Sequence, residues 1–187
     1  MKRAALLVAT AVLFGLALSA LAGQPDSKKD FSARFQALVA KTPGGAFKVT
    51  ARPGEDIPEA TLNLSFGPGA TVSVSRGGPP KNMLDDSDIS AVVNKNLRAV
   101  KFCYCQALKA DPEFEGEAIV GVQVKTTGKV QKVEIQPEDI AEHAFGKCLA
   151  PRVAKWSFPP FSGQKEDGLA LKSIGYEFPL EFSRAGE

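Results

Sequence analysis

The chain has 187 residues, of which 44% are hydrophobic and 24% charged. That composition fits one globular domain of ordinary size plus an appendage, and it excludes an extensively disordered or wholly membrane-embedded chain. The formal charge is +2, and setting aside Lys2 and Arg3 leaves 21 basic against 21 acidic residues. A nucleic-acid binder needs a basic surplus gathered on one face to neutralise phosphates, so no nucleic-acid partner is expected.

Lys2 and Arg3 open a leader whose residues 4–22 are apolar apart from Thr10 and Ser19. Ala20, Leu21 and Ala22 then supply the small-x-small pattern that a signal peptidase accepts. A signal peptide over residues 1–22 is expected, with Gly23 as the new N-terminus and the periplasm or cell envelope as destination. An uncleaved leader of this length would just span a bilayer of roughly 30 Å, and that is the only membrane contact expected. No cysteine lies beside Gly23 to accept a lipid.

Residues 23–84 read as an N-terminal extension. Phe31, Phe35, Leu38 and Val39 fall at helical spacing, which predicts a short amphipathic helix over 30–41, capped by Asp30. Such a helix is marginal alone and should pack back on its own domain. Pro43, Gly44 and Gly45 break the pattern, and Phe47, Val49 and Ala51 then alternate as in a short strand. A hairpin is predicted over 62–75, where Leu62, Leu64 and Phe66 and then Val72 and Val74 alternate with polar residues around Gly67, Pro68 and Gly69. Residues 76–83 form a linker containing Gly77, Gly78, Pro79 and Pro80. No Gly-Lys-Ser/Thr follows these glycines, so they do not make a phosphate loop.

The main domain is expected over 85–183. Asp85, Asp86, Ser87 and Asp88 crowd a helix start, where free N–H groups and the positive end of the helix dipole favour them. Ile89, Val93, Leu97, Val100, Cys103 or Tyr104, and Leu108 form one apolar stripe. Asp111 and Pro112 end that helix. Residues 117–125 alternate, Thr126 to Lys129 make a turn, and 130–135 return, giving a hairpin. A second helix is predicted over about 140–155, with Pro151 kinking it or starting a new turn. Ile174, Tyr176, Phe178, Leu180 and Phe182 then occupy alternate positions of a closing strand. Pro179 lacks an N–H, so one side of that strand should be an edge or a bulge there. The expected fold class is therefore α+β, two helices covering one face of a three-stranded antiparallel sheet.

Three cysteines in an exported chain make a disulfide expected, with one thiol left over. Cys103 and Cys148 lie on the apolar faces of two helices that pack on the same sheet. Cys105 is turned about 200° from Cys103 on an ideal helix. The pairing Cys103–Cys148 follows, with Cys105 as the free thiol. It closes a loop worth on the order of 4 kcal/mol in chain entropy. Cys105–Cys148 and a Cys103–Cys105 redox pair are the rivals. Cys103, Cys105, His143 and Cys148 also suit zinc by ligand type, but Cys-x-Cys on a helix splays its ligands. No metal or other cofactor is expected, and His143 reads as a surface residue beside Glu142. No orienting carboxylate or oxyanion pattern accompanies a cysteine–histidine nucleophile, so no catalytic residue is assigned.

Cys103 and Tyr104 with Leu108, then Gly116 and the hairpin from Ala118 through Gly128 to Val130, then Cys148, Val153 and Trp156, Ser157, Phe158 and Pro159, and finally 176–182, form a set. It resembles the AgmX/PglI C-terminal domain, a TonB C-terminal-like family, over roughly residues 86–183. The resemblance implies a TonB-like α+β fold, an envelope location, and contact with another envelope protein as the working role. It transfers no catalytic residues. Cys105 is extra, and the long proline-rich arm of a true TonB is absent, so active force transduction is not implied. Docking is expected by strand addition at the last strand, around Tyr176, Phe178, Pro179 and Leu180. The alternatives are a periplasmic binder of cell-wall glycan or a small ligand, which needs exposed rings at Trp156, Phe158 and Phe161, and a thiol redox or zinc protein.

Overall fold

A computed structural model describes residues 27–57, 81–164 and 168–185. The expected leader over 1–22, the hairpin over 62–75 and most of the linker over 76–83 lie outside the described residues.

Helix α1 (Ser27–Lys41) and strand β1 (Phe47–Ala51) come first, followed by helix α2 (Asp86–Ala110). Asp85 caps α2: its side chain accepts from the Asp88 N–H, and the Asp88 carboxylate accepts from the Asp85 N–H. This reciprocal box satisfies two of the donors that a helix start leaves without partners. Lys81 ties down the same corner, donating to Asp85 at 2.9 Å and to Asp88 at 2.9 Å. Strands β2 (Gly116–Lys125) and β3 (Val130–Gln136) form the expected hairpin. The turn needs Gly128, whose φ of 79° few side chains tolerate and where a Cβ would collide with the Phe158 carbonyl oxygen.

The expected single helix over 140–155 is divided in two, α3 (Glu138–Glu142) and α4 (Ala144–Val153), and strand β4 (Ser173–Arg184) follows. The break falls at His143, not at Pro151, which sits inside α4. At His143 the backbone is extended, ψ 160°, and Nδ1 accepts the Phe145 N–H at 3.3 Å. The ring stacks on Phe114 with centroids 3.8 Å apart. His143 is thus a half-buried cap instead of the expected surface residue, because capping α4 and covering Phe114 both need its ring there.

The sheet is also larger than expected. Among the described residues it has four strands in the order β1-β4-β2-β3, and β1 runs parallel to β4 while the other pairings are antiparallel. The expectation of three antiparallel strands is corrected by β1, whose Phe47, Val49 and Ala51 are all buried. A five-residue strand gives no sequence sign of its partner, which enters the chain only after α4.

Helices α2 and α4 lie on one face, over Ala118, Val120, Val122 and Val124 of β2 and Phe178, Leu180 and Phe182 of β4. The two-layer expectation fails on the other face, which α1 covers. Arg34 of α1 donates to Gln136 at 2.7 Å and also to Glu177, both of which point away from the main core. Phe35 (2% exposed) and Ile119 (1%) are buried outside the main cluster, as befits a small second core beneath α1.

Gly146 lets α4 follow α3 at close range: a Cβ there would lie 2.7 Å from the Ala141 Cα and would collide with the Ile140 and Ala141 carbonyl oxygens. Alanine normally stabilises a helix interior by about 0.5–1 kcal/mol over glycine, whereas overpacking against backbone costs about 1–3 kcal/mol. Gly146→Ala should therefore lower stability by about 1–2 kcal/mol net in urea melts, against the helix-propensity trend. A gain would contradict the close approach.

Candidate functional site

Tyr176, Phe178, Pro179 and Leu180 of β4 and the cysteines of α2 and α4 are the places that the sequence singled out. Cys103 and Cys148 form a disulfide with Cα atoms 5.5 Å apart, joining α2 to α4. Cys103 is fully buried and Cys148 half-buried. Cys105 is a free, buried thiol. It lies toward the loop after β1, and its electrostatic neighbours are Glu55, Lys101, Lys109 and Asp56. Burial is the main cause that pushes its pKa up, which disfavours the reactive thiolate. The disulfide also takes two of the four groups that the zinc reading needed, and no cluster of three or more metal-ligating side chains occurs among the described residues.

The rings that a glycan site would need are inside. Trp156 is 5% exposed, Phe158 4% and Phe161 3%. Trp156 stacks on Phe178 with centroids 5.8 Å apart. The segment carrying these rings is pinned by backbone bonds from Phe158 to Gly128 and from Phe161 to Thr126, which turn its side chains into the core.

The residues expected to meet a partner on β4 are mostly core as side chains. Phe178 packs edge-on against Phe47 at 6.0 Å, and Leu180 faces Phe47 and Ala118 across the two neighbouring strands. Pro179 is buried on the α1 face. Tyr176 is half-buried, and its hydroxyl donates to the Leu84 carbonyl at 2.6 Å. What β4 can offer is backbone.

Backbone groups in a strand alternate sides, and two bonds fix which residues point which way. The Ala185 N–H donates to Ala51 of β1, and the Lys172 carbonyl accepts from Thr126 next to β2. Odd-numbered residues of β4 therefore face β1, and even-numbered ones face β2. Pairing with β2 runs unbroken through Pro179, opposite Ile119. Pairing with β1 begins only at Leu180. The missing N–H of Pro179 thus falls on the β1 side, where β1 ends. From 173 to 179 no described strand pairs with that side, so Gly175 and Glu177 direct N–H and C=O groups outward there.

This open half lies in a slot between two helices. A cleft of about 200 Å³ beside it is lined by Leu38 and Pro43 on one side, Asp86 and Ile89 on the other, and Tyr176 and Phe178 at the base. A shallower groove of about 600 Å³ continues over the outer face past Gly121, Gly175 and Glu177. Sequence reasoning found β4 but missed Gly175 and Glu177, because the side that stays unpaired depends on where β1 stops.

Burial is also the chief cause that raises the Tyr104 and Tyr176 phenols to about 12; carboxylates at Asp86, Asp88 and Asp85 add to it for Tyr176. Comparisons with protein-family models, curated proteins and solved structures return no match to this chain. No helix among the described residues is long and apolar enough to cross a membrane.

Two outcomes follow. Replacing both Cys103 and Cys148 by serine should cost about 2–4 kcal/mol in denaturant unfolding, and intact protein should show one thiol that titrates only after unfolding. The raised phenol pKa values mean that both tyrosines stay neutral in the fold while the unfolded chain ionises near pH 10. Their stabilisation is complete below pH 10 and is lost as pH rises toward 12. Melting temperature should fall over that window, and less steeply in Tyr104→Phe; equal slopes would contradict the burial of Tyr104.

Proposed function

We propose that this chain is an exported cell-envelope protein that works by protein–protein contact, through a C-terminal domain of the TonB-like AgmX/PglI type, and catalyses no reaction. The observation that supports the reading is the first half of β4, a row of backbone donors and acceptors on the side that no described strand pairs with, at the base of a slot. Such an edge binds an extended segment by main-chain hydrogen bonds, with neighbouring pockets selecting its side chains. The helix, hairpin, helix and strand of residues 86–184, with a disulfide between α2 and α4, are what supports the α+β part of this reading.

The competing readings lose their residues. Trp156, Phe158 and Phe161 are buried, so they offer no stacking surface to a sugar. Cys103 and Cys148 are joined, and Cys105 is buried with a raised pKa, which leaves no exposed thiolate for redox exchange.

Immobilised protein exposed to envelope extracts should capture one dominant protein. Gly175→Pro removes an outward N–H without breaking a bond to β2, so it should weaken capture at least tenfold while leaving the melting temperature nearly unchanged. Undiminished capture by this variant would exclude the edge. Failure of the wild type to capture any protein, with retention on cell-wall glycan, would exclude the adaptor role.

A further inference from the structure

Among the described residues, unpaired lysines gather at one end of the sheet and unpaired carboxylates at the other. Lys125 and Lys129 flank the tip of the β2–β3 hairpin. Lys172 lies beside them, because its carbonyl accepts the Thr126 N–H, and so does Lys155, because Ser157, two residues on, bridges to Lys129. All four lysines are exposed, and none forms an ion pair with a described residue. On the α2 side of this end, Asp85 and Asp88 are already held by Lys81. The tip itself is a preformed knob. The Lys125 N–H donates to the Lys129 carbonyl at 2.9 Å, and the Phe158 and Phe161 N–H groups donate to Gly128 at 2.9 Å and Thr126 at 3.0 Å.

The other end of β2 lies about 26 Å away at the rise of a strand. There the N-terminal end of α1, the start of β2 and helix α3 enclose a cleft of about 790 Å³. Phe31 and Ile140 give it apolar surface, and Glu115, Glu117, Glu138 and Asp139 give it carboxylates, against the single ammonium of Lys28. Arg184 is shared between Glu113 at 2.8 Å and Glu115 at 3.7 Å. Glu117, Glu138 and Asp139 form no ion pair with a described residue. Glu117 also stands directly opposite Glu181 of β4, a pairing of like charges that costs stability.

We propose that the lysine-bearing end of one molecule docks in the carboxylate cleft of a second copy, head to tail. An apolar floor with a carboxylate rim recognises a cation on an aliphatic stem: the stem covers Phe31 and Ile140 while the head reaches Glu117 or Glu138. Lys125 and Lys129 offer two such stems on a rigid tip, so little order has to be gained on binding. Setting aside Lys2 and Arg3, basic and acidic residues are equal in number, so two copies meet without overall repulsion and the segregation of charge sets their orientation. Tip and cleft lie at opposite ends of the same strands, which makes the contact heterologous. Each added copy leaves a free cleft at one end and a free tip at the other, and the assembly grows as an open chain. The contact does not use the first half of β4, so it stands apart from the edge-binding reading.

Sedimentation velocity on the full chain, expressed with its leader, tests this. In low salt the mean mass should rise with concentration past that of a dimer. Association should weaken at least tenfold in about 1 M salt, where screening shortens the reach of charges to about 3 Å. Two variants each remove one end, Lys125→Gln with Lys129→Gln and Glu117→Gln with Glu138→Gln. Each should stay monomeric alone. Mixed in equal amounts they should form a one-to-one dimer and nothing larger, because each pair retains one intact tip and one intact cleft. Lys95→Gln with Arg98→Gln, on the exposed side of α2, should assemble as the wild type does. A wild type that stays monomeric, stops at the dimer or ignores salt would overturn the head-to-tail contact. So would end variants that assemble alone or fail to pair when mixed. Loss of assembly in the α2 variant would assign the effect to net charge and overturn the cleft as the docking site.

Discussion

Strand β4 is paired with β2 from Ser173 to Phe182 and with β1 from Leu180 to Arg184, and its alternation of apolar and polar residues decides what each face of the sheet meets. Tyr176, Phe178, Leu180 and Phe182 face α2 and α4, and Gly175, Glu177 and Pro179 face α1. A slip of one residue would exchange these sets and put the aromatic side chains in the polar layer, so the register is fixed by burial itself. Around Phe182 the core is aromatic, with Tyr104, Phe114 and Phe145 within 5.6 Å, 5.1 Å and 4.7 Å of its ring. Tyr104 belongs there because its hydroxyl reaches the Phe114 carbonyl at 2.9 Å, which avoids leaving a buried polar group without a partner.

The disulfide acts on the same assembly from above. It joins the 25-residue helix α2 to the short helix α4. A ten-residue helix that contains Pro151 has little stability of its own, since isolated helices of that length are marginal in water. The bond and the burial of Phe145, Leu149 and Val153 hold it on the sheet. Close approach of α3 and α4 then needs glycine at 146, and the turn between them uses His143 as a cap.

Residues 173–179 of β4 pair with β2 on one side, and no described strand pairs with them on the other. Proteins generally cover or charge such edges to avoid unwanted pairing. Here the ends of α1 and α2 flank the cleft beside it, and Glu177 is held by Arg34. Pro179 sets the boundary between the covered and uncovered halves through the one hydrogen bond it cannot make.

The sequence by itself determined the local elements: the capped start of α2, the β2–β3 hairpin, the alternation of β4, and the Cys103–Cys148 pairing that helical faces imply. These are legible because each depends on neighbours within one helix turn or one strand repeat. Only the tertiary structure decided that β1 lies parallel to β4, that α1 takes the opposite face, that His143 divides the second helix, and that Trp156, Phe158 and Phe161 turn inward. Each of these depends on a contact between residues distant in the chain, where many pairings satisfy the same pattern of apolar residues and packing selects one. The direction in which Gly175 and Glu177 offer their backbone groups is of that second kind, since a strand's alternation gives two sides and only its neighbours determine which one is left unpaired.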